Sequence, residues 1–397
     1  MRGPGVTMRS NEKSLRILHV FRAPVGGLFR HVMDLAGEQA SRGHEVGLIV
    51  DSLAGGERAE QQLAAIAPRM KLGVVRFPMH REPHLGDLSV LARTYARIWR
   101  LRPDIVHAHG AKGGLYARLT GFLPLPKRPA RVYTPHGGSF HQVAGHRAYM
   151  LAERLLGRQT DLLQFESDYM ARKYASEIGP GAALVNVARN GVCAGDFVKV
   201  TPPPDAAEFV YVGELAARKG VDILIEALAK IHAGGQFAPR LVIIGSGPDR
   251  EALAALVEQS GLSRHITMRD PQPAQKALAA GRIVVAPSRV ESLPYMFLEA
   301  IACGRPLIAA AVGGVEEIFG PYRDKLIPPG DPAALAAAMV AALQENETAQ
   351  QDACAALTQY VKDNFQIASM VDSIMDGYAR ALARREPQAI QNSLRAQ

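Results

Sequence analysis

Short apolar runs alternate with amphipathic stretches along almost the whole chain, and this alternation is the strongest constraint on the fold. Between residues 15 and 195, runs rich in Val, Ile and Leu, such as 15–20, 43–50 and 105–110, precede stretches with helical periodicity. The same pattern restarts after residue 208. Strands that alternate with helices pair in parallel, so the sequence predicts an α/β protein with two doubly wound parallel sheets.

The break between the two patterns predicts the domain organisation. Residues 199–208 read KVTPPPDAAE, a proline-rich stretch typical of a linker. A chain of 397 residues also exceeds one ordinary core. We expect a disordered tail over 1–14, an N-terminal domain over 15–198, a linker over 199–208, a C-terminal domain over 209–370, and a last helix with its tail over 371–397. Two such domains imply a cleft, where ligand pockets form.

Composition narrows the environment and the partners. The formal net charge of +8 favours anionic partners, but Lys and Arg are dispersed, which argues against nucleic acid. The three cysteines are far apart in sequence, as in a reduced cytoplasmic protein. Residues 1–14 lack the apolar core of a signal peptide, and no apolar run reaches the ~18–20 residues of a membrane span. We therefore expect a cytoplasmic protein.

Two carboxylates follow the buried run 282–286. Glu291 lies on the loop after this predicted strand, and Glu299 lies in the apolar helix YMFLEAIACG. Loops at the carboxyl ends of parallel strands line the ligand crevice, which makes Glu291 a candidate catalytic residue. A charge in an apolar helix needs a partner, and for Glu299 this is either a sugar hydroxyl pair or an internal Arg or Lys.

Two further loops carry candidate phosphate-binding groups. Arg218 and Lys219 precede Gly220 between a predicted strand and helix, where a diphosphate can be gripped, although solvated pairs of this kind are common. Gly26 and Gly27 follow the first strand, where backbone N–H groups can approach a phosphate; a plain turn is the alternative. The run Gly245-Ser246-Gly247 begins a dinucleotide fingerprint that fails at Arg250, so NAD is disfavoured.

Histidines at two strand ends are the remaining candidates. His136 follows the strand 131–134 and precedes two glycines, so it can donate to a substrate hydroxyl or act as an acid or base; a turn histidine is the alternative. His107 and His109 share one face of a strand, but no third ligand of suitable spacing is evident. We favour a structural role for this pair and expect no metal.

These segments together resemble the family 4 glycosyltransferases over residues 15–380. The residues that carry the resemblance are Gly26-Gly27, Thr134 to Gly137, Gly213-Glu214 through Gly220, Gly245 to Pro248, Pro287-Ser288 through Glu291 to Glu299, and Gly313 to Glu317. Two segments depart from the family pattern. Ser292-Leu293-Pro294-Tyr295 replaces a glycine-aromatic-glycine turn and looks like bacterial members that build surface polysaccharides. Arg269-Asp270-Pro271 lies where a glycine is usual.

The resemblance implies the GT-B architecture, in which two Rossmann-like domains face each other across a cleft. The N-terminal domain would bind the acceptor and the C-terminal domain the nucleotide-sugar, and the last helix, within 371–397, would cross back to the N-terminal domain. It implies transfer of a hexose from a nucleotide-diphospho-sugar with retention at the anomeric carbon, without metal or other cofactor. Glu291 and His136 would contact the donor sugar, Glu299 the ribose, and Arg218 with Lys219 the diphosphate. Gly26 and Gly27 would bind the phosphates, and Gly213, Gly245, Ser292 and Leu293 would complete the donor site.

The acceptor is a saccharide or a polyprenyl-diphosphate-linked saccharide in this interpretation. Seven basic residues would suit a lipid-linked acceptor at the inner membrane face, or would simply aid solubility: Arg22, Arg30, Lys112, Arg118, Lys127, Arg128 and Arg131. Three other functions stay open. They are a sugar-nucleotide epimerase of the same architecture, a metal-dependent hydrolase built on His107 and His109, and a non-catalytic nucleotide-sugar-binding partner protein.

Overall fold

The computed structural model describes residues 13–137, 146–235 and 239–395, and it divides the chain into two compact units. The first unit comprises Met1–Arg189 and Ile367–Gln397, and the second comprises Asn190–Gln366. The break between the units thus lies at 189–190, ahead of the proposed linker 199–208, and Ala207 already begins a strand. Of the proposed tail, residues 1–12 lie outside the described part of the chain, while Ser14 donates a hydrogen bond to the carbonyl of Gly43 (2.8 Å).

The first unit contains one sheet of seven parallel strands in the order β3-β2-β1-β4-β5-β6-β7. The strands are β1 (Arg16–Phe21), β2 (Glu45–Asp51), β3 (Gly73–Phe77), β4 (Ile105–His109), β5 (Ala130–Thr134), β6 (Leu162–Phe165) and β7 (Leu184–Val187). The helices between them are α1 (Gly26–Ser41), α2 (Gly56–Ile66), α3 (Asp87–Leu101), α4 (Gly110–Leu119), α5 (His146–Gly157) and α6 (Asp168–Glu177).

The second unit repeats this architecture with a five-stranded parallel sheet in the order β10-β9-β8-β11-β12. Its strands are β8 (Ala207–Val212), β9 (Leu241–Ile244), β10 (Ile266–Arg269), β11 (Gly281–Ala286) and β12 (Leu307–Ala309). Its helices are α7 (Val221–Ala233), α8 (Arg250–Gln259), α9 (Ala274–Leu278), α10 (Tyr295–Ala302), α11 (Val315–Phe319), α12 (Pro332–Gln344) and α13 (Glu347–Asn364). The predicted fold class, two α/β domains with parallel sheets, is confirmed.

Each sheet has one place where the strand order reverses. In the first unit, β1 pairs with β2 on one side and β4 on the other; in the second, β8 pairs with β9 and β11. In open α/β sheets, the loops at the carboxyl ends of such neighbouring strands diverge to opposite faces and leave a crevice. Residues that follow β1, β4, β8 and β11 are therefore the ones best placed for function.

The last helix, α14 (Ile367–Arg395), belongs to the first unit although it follows the second in sequence. Its residues Val371, Ile374 and Tyr378 pack with Ile17 of β1 and Val132 of β5 in one apolar cluster. Parallel sheets are covered by helices on both faces, and α14 completes the cover on one face of this sheet. None of the helices in the described ranges combines the length and hydropathy that crossing a membrane requires.

A fully buried ion pair connects the helices on the other face of this sheet. Arg118 of α4 makes a two-pronged contact with Glu153 of α5, with both nitrogen–oxygen distances at 2.8 Å. The guanidinium also lies over the ring of Tyr133, 3.7 Å from its centroid. Both charged side chains are at most 2% exposed. Such a pair is stable only while both partners are present, because water cannot reach a charge left behind.

Replacing Glu153 by Leu should therefore destabilise the first unit by about 3–5 kcal/mol, since Arg118 remains buried without its counter-charge. Urea unfolding followed by the fluorescence of Trp99, the single tryptophan, measures this unit directly. The matched control is Glu60→Ala, which removes the exposed partner of Arg76 and should cost less than about 1 kcal/mol. Equal shifts for the two variants would contradict the assignment.

Candidate functional site

Three loops meet at the carboxyl edge of the second sheet, after β8, β9 and β11. Leu215 in the first loop donates its N–H to the carbonyl of Ser246 in the second (2.9 Å). Arg289 in the third loop donates its N–H to the carbonyl of Arg218 in the first (2.8 Å). Backbone hydrogen bonds thus tie all three loops into one rigid surface at the switch point of this sheet.

Glycines allow these loops to come so close. A Cβ on Gly245 would lie 1.8 Å from the carbonyl oxygen of Gly213, and one on Gly220 would lie 2.1 Å from that of Pro287. Gly220 also has a positive φ of 67°. Gly213 and Gly245 were predicted as donor-binding residues; the structure gives both a packing reason, and donor contact stays a prediction.

The predicted cation pair divides between two acidic partners. Lys219 places its Nζ 2.5 Å from Oε1 of Glu291, across the junction between the β8 and β11 loops. Arg218 instead pairs with Glu214 on its own loop and is partly exposed. Lys219 and Arg218 therefore lie on one loop but face different groups, and only Lys219 connects with the candidate catalytic carboxylate.

Glu291 is buried, with 6% of its surface exposed. Besides Lys219, Oε1 accepts a hydrogen bond from the hydroxyl of Ser288 (2.7 Å). A carboxylate removed from water requires such compensation. The sequence analysis named Glu291 and Lys219 separately and gave Ser288 only as part of a motif, without a role. The parallel pairing of β8 with β11 is what brings them together.

The other predicted donor-site residues of this unit lie on the same loop and on α10. The side chain of Leu293 is 2% exposed and packs in the apolar cluster around Phe297, so it offers a ligand only its backbone. Its carbonyl already accepts a hydrogen bond from Asn190 (2.7 Å), a residue that the sequence reasoning did not single out. Ser292, on the loop after β11, and Glu299, in α10, are both half-buried.

Gly26, Gly27 and His136 belong to the first unit. Gly26, with a φ of 65°, is the first residue of α1, and both glycines are exposed. The N–H groups at a helix start have no acceptor within the helix, so this place suits an anion. His136 follows β5, is partly buried, and also has a positive φ, of 54°. A non-glycine residue rarely takes this conformation unless its surroundings hold it there.

His136 is part of a cluster of five histidines at the switch point of the first sheet. Parallel pairing places His19 of β1 directly beside His107 of β4, and Phe21 beside His109. His31 of α1 lies against His136, with ring centroids 4.9 Å apart. The sequence reasoning found no third residue near His107 and His109. The structure supplies His19 and His31, which only the strand register and the α1 packing bring close.

Most of these rings are linked by hydrogen bonds. The nitrogen pairs His19 Nδ1–His109 Nε2 and His109 Nδ1–His136 Nε2 are each 3.0 Å apart. His19 Nε2 lies 2.8 Å from Oε1 of Gln39. His107 contacts the hydroxyls of Tyr378 (2.6 Å) and Thr134 (2.8 Å).

Burial keeps these imidazoles neutral. The pKa of His19 is lowered to about 4, chiefly by burial; a hydrogen bond to Gln39 opposes this shift, and the nearby His31 adds a smaller lowering. Burial likewise lowers the pKa values of His107, His109 and His136 well below the ordinary value. A neutral imidazole carries one N–H, so each ring donates through one nitrogen and accepts through the other.

Neutral histidines in such a cluster can also hold a transition metal. Two groups of three, His19-His107-His109 and His31-His109-His136, each bring three ring nitrogens within 4.8 Å of one another. In the first group, however, every ring nitrogen already lies within hydrogen-bond distance of another polar atom. The hydrogen-bonded arrangement therefore accounts for these nitrogens without an ion.

Comparison with known proteins decides the family. The family described as "Glycosyltransferase Family 4" matches residues 25–194, and "Glycosyl transferases group 1" matches residues 206–345. The chain belongs to the family 4 glycosyltransferases. The two matches fall on the two structural units and include the loops that carry Gly26, His136, Lys219 and Glu291.

Full-length relatives support this assignment. The glycogen synthase of Mycobacterium tuberculosis is 28% identical over 369 residues, which cover 85% of this chain and 87% of that protein. The 2-deoxystreptamine N-acetyl-D-glucosaminyltransferase of Streptomyces fradiae is 28% identical over 91% of this chain and 92% of its own length. HepE of Anabaena, solved in complex with UDP-glucose, superposes with a TM-score of 0.72 at 19% identity, over 92% of this chain and 100% of that one. The fold is GT-B, and the protein is a glycosyltransferase.

The buried histidines predict how stability depends on pH. Unfolded histidine binds a proton near pH 6.5, whereas folded His19 binds one only near pH 4. Between these values the unfolded state holds more protons, so stability is complete above pH 6.5 and falls as the pH falls towards 4. His19 alone should cost about 1.4 kcal/mol per pH unit in this window.

Urea unfolding between pH 7 and pH 4, followed by Trp99 fluorescence, measures this dependence. The variant His109→Gln should show a shallower slope because it removes one of the buried titrating groups. His84→Gln, which alters an exposed histidine of the same unit, should keep the wild-type slope. A wild-type stability that stays constant from pH 6.5 to pH 4 would show that the cluster is not held neutral.

Proposed function

We propose that this glycosyltransferase moves a hexose from a nucleotide-diphospho-sugar to a saccharide or polyprenyl-diphosphate-linked saccharide, with retention at the anomeric carbon. The setting is bacterial surface polysaccharide synthesis in the cytoplasm. The observation that carries the proposal is the pair Lys219–Glu291, 2.5 Å apart where the loops after β8 and β11 meet. In this pair, a cation that can bind a phosphate lies next to a carboxylate that can accept hydrogen bonds from sugar hydroxyls.

The cations act on the leaving group. Cleavage of the bond between sugar and phosphate builds negative charge on the diphosphate, and positive groups already fixed in place stabilise that charge in the transition state. Lys219 is held by Glu291, with 17% of its side chain exposed, so little ordering is needed when the diphosphate arrives. Arg218, held by Glu214, supplies a second, more accessible charge. With two cations in this role, the reaction needs no metal.

The carboxylates recognise the donor. Once phosphate oxygens engage Lys219, Glu291 can accept hydrogen bonds from sugar hydroxyls near the reacting carbon, while Ser288 keeps the carboxylate in place. Glu299 accepts from the ribose hydroxyls. In the first unit, Gly26 and Gly27 offer N–H groups to the phosphates, and His136 contacts the sugar. We assign no protein nucleophile, because the leaving phosphate can itself accept the acceptor's proton.

The relatives favour sugar transfer over the other functions considered. The two full-length relatives are a glycogen synthase and an N-acetylglucosaminyltransferase, and neither is an epimerase or a hydrolase. The UDP-glucose bound to HepE makes a uridine donor the first to test. A non-catalytic nucleotide-sugar-binding protein would share the donor site but transfer no sugar.

Thermal unfolding with a panel of UDP-, GDP- and ADP-sugars tests the donor class, since a ligand of the folded state raises the melting temperature. For the donor that binds, Lys219→Ala should raise Kd about 10- to 100-fold, as expected for a lost charged contact with phosphate. Lys230→Ala removes the same charge at an exposed position of α7 and should leave Kd unchanged.

Two outcomes would contradict different parts of the proposal. If no nucleotide-sugar shifts the melting temperature, the donor class is wrong. If a donor binds but Lys219→Ala and Glu299→Ala both keep full transferase activity, the site is elsewhere. Donor binding without transfer to any saccharide acceptor would favour the non-catalytic alternative.

We further propose that the first unit meets an anionic membrane through α3 and the segment after α4. Of the seven basic residues considered from the sequence, all of which the structure describes, only Lys127 and Arg128 are exposed; Arg118 and Arg131 are buried. Arg118 and Arg131 therefore cannot belong to a membrane-facing surface. The exposed apolar side chains of α3 and of the segment after α4 include those of Trp99, Phe122 and Leu123. Tyr95 on α3 links the two segments through a hydrogen bond to the carbonyl of Pro124 (2.5 Å).

Aromatic side chains beside basic ones are typical of proteins that bind at the lipid interface. Sedimentation with vesicles that contain one third phosphatidylserine should retain the wild type, and the double variant Trp99→Ser/Phe122→Ser should lose at least about tenfold in affinity. Val340→Ser, at an exposed apolar position of the second unit, is the control. Equal binding by all three proteins would exclude this surface.

A further inference from the structure

A single amide decides the direction of the hydrogen bonds in the histidine cluster. Gln39 of α1 is fully buried, with Oε1 2.8 Å from Nε2 of His19. Its Nε2 lies 3.7 Å from the sulfur of Met375 and 3.5 Å from the hydroxyl of Tyr378. A thioether sulfur has no proton to give, so the amide nitrogen, and not the oxygen, belongs on that side.

The position of each proton follows from this orientation. Because Oε1 of Gln39 only accepts, Nε2 of His19 carries the proton, and Nδ1 of His19 must accept. Nε2 of His109 therefore donates to His19, and Nδ1 of His109 accepts from Nε2 of His136. Because each neutral ring has only one N–H, the proton position on one histidine fixes that on the next. The last nitrogen in this series of hydrogen bonds, Nδ1 of His136, is therefore unprotonated.

This last nitrogen is the free end of the chain. Within the described ranges of the protein, no residue is hydrogen-bonded to Nδ1 of His136, and the ring is partly exposed at the end of β5. The rare backbone conformation of His136 and the edge contact with His31 hold the ring in this direction. An unprotonated nitrogen at this position accepts a hydrogen bond from a hydroxyl, whereas a protonated one could only donate.

A second branch starts from the same amide. The Nε2 of Gln39 faces Tyr378, so that hydroxyl accepts from the amide and donates to Nδ1 of His107 (2.6 Å). Nε2 of His107 then donates to Thr134, two residues before His136. The two branches thus end at Thr134, the last residue of β5, and at His136 just after it, and both depend on α14, which supplies Met375 and Tyr378.

We propose that Gln39, His19 and His109 are positioning residues that hold His136 as the tautomer protonated at Nε2, so that Nδ1 accepts a hydrogen bond from a hydroxyl of the bound sugar. This role for the hydroxyl rests on the proposed function. The tautomer itself does not, because it follows from contacts within the first unit. The orientation of the Gln39 amide, which the sulfur of Met375 fixes, sets which nitrogen of each histidine donates and which accepts.

Nitrogen-15 NMR of the histidine-labelled full chain tests the tautomer without any substrate, since protonated and unprotonated ring nitrogens have well-separated chemical shifts. The spectrum of His136→Asn identifies the signals of His136. In the wild type, Nε2 of His136 should carry the proton and Nδ1 should not. In Gln39→Leu, which removes the acceptor for His19, a substantial population should appear with the proton on Nδ1.

Two variants separate the effect of direction from that of packing. Gln39→Glu keeps an acceptor for His19 and should retain the wild-type tautomer. Gln164→Leu removes another buried glutamine of the same unit, one that accepts a hydrogen bond from Asn186 and takes no part in the histidine hydrogen bonds. This variant should also retain the wild-type tautomer of His136. With an established donor and acceptor, kcat/KM of Gln39→Leu should fall roughly ten- to a hundredfold, and Gln39→Glu should recover most of it.

Three results would overturn the proposal: a wild-type His136 protonated at Nδ1, a tautomer that does not change in Gln39→Leu, or a stoichiometric metal ion bound to the cluster in the purified protein. Failure of the proposed function is distinguishable, because it would show as absent nucleotide-sugar binding with the tautomer intact.

Discussion

Parallel strand pairing on both sides of a switch point is the constraint on which both candidate sites depend. In the second unit, pairing of β8 with β11 brings Lys219 to Glu291 across 72 residues of sequence. In the first, pairing of β1 with β4 sets His19 beside His107. Neither contact is visible in local sequence, and both follow from strand order. The backbone hydrogen bonds of the sheets therefore position the charged and titratable groups as well as the cores.

The two sites solve the problem of buried polar groups differently. Glu291 is compensated by a cation and a hydroxyl, so its charge is kept close to where a charged ligand arrives. The histidines are instead kept neutral by burial and satisfied by one another. A charged pair suits the stabilisation of a leaving diphosphate, while a neutral chain suits recognition of an uncharged hydroxyl.

Periodicity was enough to predict the α/β class, because runs such as 241–244 are apolar, short and followed by helices. It also placed Glu291, Lys219 and His136 on loops that follow strands. It could not supply Ser288, Gln39 or His31, because each acts through a contact that depends on strand register or helix packing. The buried positions of Arg118 and Arg131 were unreadable for a similar reason: an arginine that covers a surface and one that fills a core have the same sequence signature.

The discontinuous first unit has a consequence for the order in which the protein matures. Its sheet is synthesised before the second unit, but Val371, Ile374 and Tyr378, which cover one face, are made only after that unit. That apolar face must stay uncovered while the whole second unit is translated. The histidine chain also gains Met375 and Tyr378 only then. The ordered arrangement of its protons therefore requires α14, and a nascent or truncated chain without this helix would lack it.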